Sequence, residues 1–273
     1  MLQIDALIKQ YHDELHERVL PFWLNHSQDK EFGGYFTCLD RDGSVFDTDK
    51  FMWLQGREVW LFSMLCNKEG IRPEWLECAR QGAEFMLKHG HDGDYNWYFA
   101  LTREGQPLVD PYNIFSYTFA AMAFAQLHKA TGDERYAEAT RRTFAHIMER
   151  WDNPKAQWNK AHAGTRDIRA LAPSMILCNL LLEIEHLIDP AVVEESIDKA
   201  LGDVMNRFYR PELGLMLEHM NADGTLSDTF DGRLINPGHT LETMWFVMDL
   251  ARRRGDNELI RKAIEIALNT LDF

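Results

Sequence analysis

The chain has 273 residues, with 29 Lys+Arg against 43 Asp+Glu, a net charge of −14, 45% hydrophobic and 26% charged residues. That mixture excludes a disordered chain and a fibre, and the length allows a sizeable core in one large domain or two smaller ones. The negative charge repels nucleic acid and anionic membrane surfaces, so neither is an expected partner.

Helical periodicity opens the chain. Leu2–Asn25 carries apolar residues at Ile4, Leu7, Ile8, Tyr11, Leu15, Val19 and Phe22, mostly three or four apart, which predicts a helix with one apolar face. Gly34–Leu39 then leads through Asp40-Arg-Asp-Gly43 to Ser44-Val-Phe46. An acidic residue followed by glycine between apolar arms predicts a hairpin. Helices are predicted over Phe51–Asn67 and Pro73–Lys88, parted by Gly70 and Pro73. A second hairpin pattern runs from Trp97–Thr102 through Arg103-Glu-Gly105 to Gln106–Leu108. Asn113–Ala130 and Glu134–Trp151 follow as helices parted by Gly132-Asp133, then Arg169–Leu187 and Ala191–Phe208, parted by Asp189-Pro190. A third hairpin pattern, Gly214–His219 with Asn221-Ala-Asp-Gly224 and Thr225-Leu226, precedes the helices Gly238–Arg254 and Asn257–Leu271.

The turn glycines Gly43, Gly105 and Gly224 are separated by 62 and 119 residues. These are one and two copies of a unit of about 60 residues that holds two helices and a hairpin. Repeated helix pairs with hairpins at one end fit an all-α toroid whose loops build a funnel-shaped site. An irregular all-α domain or a helical solenoid is the alternative. Cys38, Cys66, Cys78 and Cys178 form no C-x-x-C pair, so neither a zinc site nor a disulfide framework is expected, and no metal centre is assigned. Met1–Gln10 has no basic segment leading into an apolar one, and no apolar run approaches the ~20 residues that span a bilayer. A soluble, cytoplasmic protein with reduced cysteines is expected.

Asp231-Gly-Arg-Leu-Ile-Asn-Pro-Gly-His239-Thr-Leu-Glu242 is the most informative segment. Pro237-Gly238 is a turn, so His239 stands at a helix N-terminus, where the dipole favours a neutral imidazole that can accept a proton. Glu242 lies three residues on, on the same face, and Arg233 is close enough in sequence to bind an oxyanion. The competing reading makes His239 a helix cap with Glu242 as its capping partner. Trp53 and Arg57 are four apart on one helix face, a pairing that suits a sugar ring and its oxygens or, equally, core packing. Lys160 lies in a donor-rich loop, Trp158–Arg166, that lacks P-loop spacing. Asn179, read as a loop residue, and the belt Pro111-Tyr112-Asn113 offer further polar contacts. There is no H-E-x-x-H, G-x-G-x-x-G or G-x-S-x-G, which disfavours metalloprotease, dinucleotide and α/β-hydrolase chemistry.

Phe32-Gly-Gly-Tyr-Phe-Thr-Cys-Leu-Asp-Arg-Asp-Gly43 and Thr48-Asp-Lys-Phe-Met-Trp-Leu-Gln-Gly-Arg57 resemble the N-acylglucosamine 2-epimerase family. So do Pro111–Phe115, Asn159-Lys160 with Gly164-Thr-Arg166, and Phe230–His239 with Glu242. The resemblance implies an (α/α)6 barrel and interconversion of N-acetylglucosamine with N-acetylmannosamine by proton transfer at C2. It implies that His239 is an acid/base supported by Glu242, that Arg57 binds the oxygens near C1 and C2, that Trp53 packs the ring, and that Lys160 contacts the sugar. The resemblance further implies ATP as an allosteric activator that is not consumed. The family has twelve helices where nine are legible before Phe273. The expectation is therefore a single toroid domain over residues 1–273, lacking the family's C-terminal helices and its second, opposite-face histidine. Its apolar flanks would be covered by a homo-oligomer or by a completing C-terminal segment. Two other readings stay open: an aldose–ketose isomerase, which needs one base, and a non-catalytic sugar-binding or interaction module.

Overall fold

The computed structural model describes residues 3–111, 113–151 and 167–272. The chain divides into two compact units, Met1–Trp158 and Asn159–Phe273.

In the first unit the opening helix is continuous but uneven. It runs as α1 (Ile4–Glu14), a π-helical turn over Leu15–Val19, and α2 (Leu20–His26). The first hairpin follows as β1 (Cys38–Leu39) and β2 (Val45–Asp47), antiparallel. β3 (Lys50–Phe51) runs directly into α3 (Met52–Glu69), and α4 (Pro73–His89) packs on α3. β4 (Ala100–Leu101) and β5 (Pro107–Val109) form the second hairpin, and β4 also pairs with β3. α5 (Phe115–Thr131) and α6 (Glu134–Trp151) complete the unit.

The burial pattern separates two kinds of helix. In α5 every residue from Ser116 to Leu127 is buried, as befits a helix that is apolar all round. α4 instead buries one stripe, Trp75, Cys78, Ala79, Gly82, Ala83, Phe85 and Met86, at the three-and-four spacing of a one-sided helix. α3 and α5 make the most extensive contact in the unit. They cross where Gly56 meets Phe119: a Cβ on Gly56 would lie 2.8 Å from the Phe119 carbonyl carbon and oxygen.

The second unit begins with β6 (Ile168–Ala170), α7 (Leu171–Ile184) with a 3-10 turn to Leu187, and α8 (Pro190–Gly202) with a π-helical turn to Phe208. β7 (Tyr209–Arg210), β8 (Leu215–Met216) and β9 (His219–Asn221) come next. A 3-10 turn over Asp231–Arg233 then leads to α9 (Pro237–Arg254) and α10 (Asn257–Asp272). α7 packs on α8 and α9, and α10 on α9. Asp189 caps α8 by accepting from the Ala191 N–H. Among the described residues no helix is long and apolar enough to cross a membrane.

The three turns expected from sequence share one geometry. Gly43 N–H donates to Asp40 O, Gly105 to Thr102 O and Gly224 to Asn221 O, at 2.9, 3.0 and 2.9 Å. In each, the accepting residue donates its own N–H to the residue four on: Ser44, Gln106 and Thr225. The glycine φ values are +86°, +93° and +85°, the left-handed conformation of a three-residue hairpin loop. The helix-end histidines His26 and His89 pack on the first two of these glycines. Gly43→Ala would place a Cβ inside the His26 ring as well as straining φ. It is expected to destabilise the chain by more than ~1 kcal/mol, seen as a lower urea midpoint at unchanged slope.

The third hairpin differs from expectation in its arms. Its turn forms, but Thr225-Leu226 is not a strand. The Asn221 side chain donates to Thr225 Oγ1 and Leu226 O, which closes the turn locally. β9 takes its ladder from β6 instead, with Arg169 opposite Met220, and β8 pairs back onto β7. Arg169, expected as the first residue of a helix, is therefore in a strand.

Candidate active site

The chemistry in the second unit centres on His239. Asn236 caps α9, its side-chain oxygen accepting from the His239 N–H at 3.3 Å, while the Thr243 hydroxyl donates to the His239 carbonyl at 2.6 Å. The backbone of His239 is thus held from both sides. The cap is Asn236, so the reading of His239 as capping residue does not stand.

The carboxylate that meets the ring comes from Glu218. His239 Nδ1 lies 3.0 Å from both Glu218 oxygens. The Glu218 side chain is 8% exposed and the His239 side chain 38%. Glu218 is fixed by its main chain: its carbonyl accepts from Leu171 N–H at 2.9 Å, at the start of α7, and its N–H donates to Leu234 O at 3.4 Å. A carboxylate accepts, so Nδ1–H donates to it, and the lone pair of a neutral ring is then on Nε2. Among the described residues Nε2 has no partner. The pair is therefore a base whose tautomer is set by Glu218 and whose Nε2 is unbonded among the described residues.

Glu218 was not singled out in the sequence. Its signal was one acid at the end of the apolar run Leu215-Met-Leu217, a position the structure buries between β8 and β9. Glu242 is half-buried on α9 and has no hydrogen bond or ion pair among the described residues; the partner of His239 is Glu218. Arg233 is 69% exposed and pairs with Asp228. Asn179 lies inside α7, not in a loop, because the apolar run Ser174–Leu181 continues the helix through it.

In the first unit, Trp53 and Arg57 share a face of α3 as expected. The Arg57 guanidinium lies 5.4 Å from the Trp53 ring centroid and 4.3 Å from that of Phe119 on α5. Phe115 stacks on Phe119 at 6.4 Å. Arg57 is exposed and Trp53 half-buried, so the group forms an aromatic platform with a cation on its surface. Phe119 is the member that sequence spacing missed, since it comes from another helix. Asn113 turns back on its own chain, its side-chain oxygen accepting from Phe115 N–H at 3.0 Å. Tyr112 and Lys160 lie outside the described residues. No group of three or more His, Cys, Asp or Glu among the described residues could hold a metal ion.

Residues 34–273 match the family model for N-acylglucosamine 2-epimerase (GlcNAc 2-epimerase). The N-acylglucosamine 2-epimerase of Bos taurus is 35% identical over 260 residues, 91% of this chain and 60% of the relative. The chain thus spans about three fifths of the length of the curated relatives it matches. Among solved structures, the cellobiose 2-epimerase of Bacillus thermoamylovorans superposes with a TM-score of 0.85 at 18% identity, covering 97% of this chain and 72% of that one. A sugar epimerase from a ruminal bacterium does so at 0.82 and 21%, covering 97% and 70%. The fold class is all-α of the (α/α)6-barrel type with short strands between helices, as expected.

Proposed function

We propose a reaction for this chain from one premise: it belongs to the N-acylglucosamine 2-epimerase family. The reaction is interconversion of N-acetyl-D-glucosamine and N-acetyl-D-mannosamine by removal and return of the C2 proton. The observation that carries it is the Glu218–His239 pair, a histidine with its Nδ1 held by a buried carboxylate and its Nε2 open. In the ring-opened sugar the C2 proton is α to the C1 carbonyl, so a base at C2 yields an enediolate with charge on O1. Nε2 of His239 takes the proton in this reading, Arg57 meets the sugar oxygens and Trp53 packs the ring. Lys160, Tyr112 and Asn179 are further sugar contacts. Asn113 and Arg233 would have to leave Phe115 N–H and Asp228 to join them.

A base returns its proton to the face it left, so inversion requires a second acid/base on the opposite face. The same proposal makes ATP an activator that is not consumed, and residues 1–273 one toroid domain, supported by a family match that runs unbroken to Phe273. It places the chain in the cytoplasm, supported by the unpaired, buried Cys66, Cys78 and Cys178. Exposed apolar stripes on α1 (Ile4, Leu7, Ile8, Tyr11) and α10 (Ile264, Leu268, Leu271) support association with a second copy or a completing segment.

The test is C2 hydrogen exchange in D2O, with and without ATP, followed by NMR from either amino sugar. Deuterium at C2 is expected, and His239→Ala is expected to abolish it; appearance of the other epimer requires that a second copy or a completing segment supply the opposite-face acid/base. Glu218→Gln can donate to Nδ1 and lock the opposite tautomer; a loss of about 10²–10⁴-fold in exchange rate is expected, with sugar affinity kept. A ketose product would mean an aldose–ketose isomerase. A sugar that binds with its C2 proton intact would mean a binding module, and either result overturns the proposal.

A further inference from the structure

A buried ion network at the start of α3 takes no part in this chemistry. Asp29 and Lys50 are both fully buried. Lys50 Nζ donates to Asp29 Oδ2 at 3.0 Å, to Gly33 O at 2.6 Å and to Arg103 O at 2.8 Å, so all three of its protons are used. The Phe85 ring lies 4.4 Å from Nζ. Asp29 in turn accepts from Arg103 Nε and Nη2 at 2.9 and 3.1 Å, and from the Glu31 and Phe32 N–H groups at 3.1 and 3.2 Å. Burial pushes the Asp29 carboxyl up, but the bonds from Arg103, Lys50 and the two N–H groups outweigh it and hold it at about 2. Three stretches of chain meet at one buried point: the 29–34 loop, β3 and the 102–105 turn.

That point adjoins the sugar platform. β3 ends at Phe51 and α3 begins at Met52, so Trp53 is three residues from Lys50 and Arg57 seven. α3 has no side-chain cap. Its first N–H, of Met52, donates to Phe99 O at 3.0 Å. Further along, the Gly56–Phe119 crossing limits the separation of α3 from α5, but a crossing point alone leaves a helix free to swing and roll. Lys50 supplies the second fixed point. Apolar side chains of similar volume often replace a buried ion pair without loss of stability, so stability alone does not call for charge here. An ammonium with three acceptors in set directions defines a position that apolar contact does not.

We propose that the Asp29–Lys50–Arg103 network is a positioning element that fixes the first two turns of α3, and with them Trp53 and Arg57, for sugar binding. The sugar-binding part rests on the proposed function; the positioning part does not. The test uses the full chain with Asp29→Leu and Lys50→Met combined, which removes both buried charges together. Arg103 keeps Glu31 as a partner at 3.0 Å. A urea midpoint close to that of the parent establishes that the double variant folds, and Lys50→Met alone serves if it does not. Two readouts follow that a merely structural role would leave in place. The Arg57 Nε–H NMR resonance, which the Phe119 ring 4.3 Å from the guanidinium is expected to shift in the parent, is expected to move. KM for the amino sugar is expected to rise about tenfold to hundredfold, with exchange at saturation changed less than about threefold. An unmoved Arg57 resonance in a folded variant overturns the proposal. So does an unchanged KM in an active one. A parent that turns over no sugar overturns the proposed function instead, and the resonance still decides the positioning.

Discussion

Glu58→Gln is expected to stabilise the chain, increasingly so as the pH rises from about 4.5 to about 8. Glu58 lies on α3, 7% exposed. Burial pushes its carboxyl up from 4.5 to about 8, outweighing the Ser27 hydroxyl beside it. No cation is bonded to it among the described residues; Tyr35 and Cys78 are its other titratable neighbours, both themselves pushed up by burial. The folded state therefore keeps this proton to about pH 8 and the unfolded state only to about 4.5. Between those values folding takes up a proton, so each step up in pH favours unfolding; below and above the window the contribution is flat. A shift of this size corresponds to several kcal/mol across the window. The Ser27 hydroxyl has one proton, and the Trp23 carbonyl accepts it at 2.6 Å. A protonated carboxyl can then donate to Ser27 Oγ, and a glutamine NH2 can do the same without a charge to bury. Urea midpoints at pH 5 and pH 8.5 measure the effect. The variant and parent should differ little at pH 5, near the foot of the window, and by several kcal/mol at pH 8.5, with the variant the more stable. Equal pH slopes for the two would exclude Glu58 as the source.

Gly56→Ala is expected to loosen the first unit and the Arg57 platform together. Alanine in a helix gains about 1 kcal/mol over glycine. Here, however, its Cβ would stand 2.8 Å from the Phe119 carbonyl group and 3.1 Å from Ala120 N, all main chain inside a helix. A side chain could rotate away from such a contact, whereas main chain in a fully buried helix moves only if α5 moves. Overpacking of this kind costs about 1–3 kcal/mol, which exceeds the propensity gain. A net loss of up to about 2 kcal/mol is expected in urea. α5 also carries Phe119 under the Arg57 guanidinium, so widening the crossing lifts the cation off the ring. Weaker sugar binding should accompany the lower midpoint. A variant as stable as the parent, with sugar affinity intact, would show that α3 and α5 can part freely.

The helices were legible because periodicity and punctuation are local. Gly70 with Pro73, Gly132 with Asp133, and Asp189 with Pro190 each lie where one helix gives way to the next. The turns at Gly43, Gly105 and Gly224 were legible for the same reason: a positive φ is a property of a few adjacent residues. The arms of the third turn were not, because strand pairing joins β9 to β6 across about 50 residues, and no short window contains both partners.

For the candidate site the division is similar. Sequence alone placed His239 at a helix start, and Trp53 with Arg57 on one helix face, since both follow from spacing along one element. It took Glu242 as the partner of His239 and did not single out Glu218. Spacing favoured Glu242, three residues on, but the α9 N-terminus meets Glu218 from the bend between β8 and β9, 21 residues back, held by the start of α7 and the turn at Leu234. Nor could it show that Phe119 lies beneath Arg57, or that Asp29, Lys50 and Arg103 share one buried point. Those contacts are set by main-chain packing between distant segments. Sequence thus determined most of the helices and the turns between them, through local backbone preference and apolar period. Tertiary structure decided which charges meet, because a buried charge is stable only where packing brings it a partner.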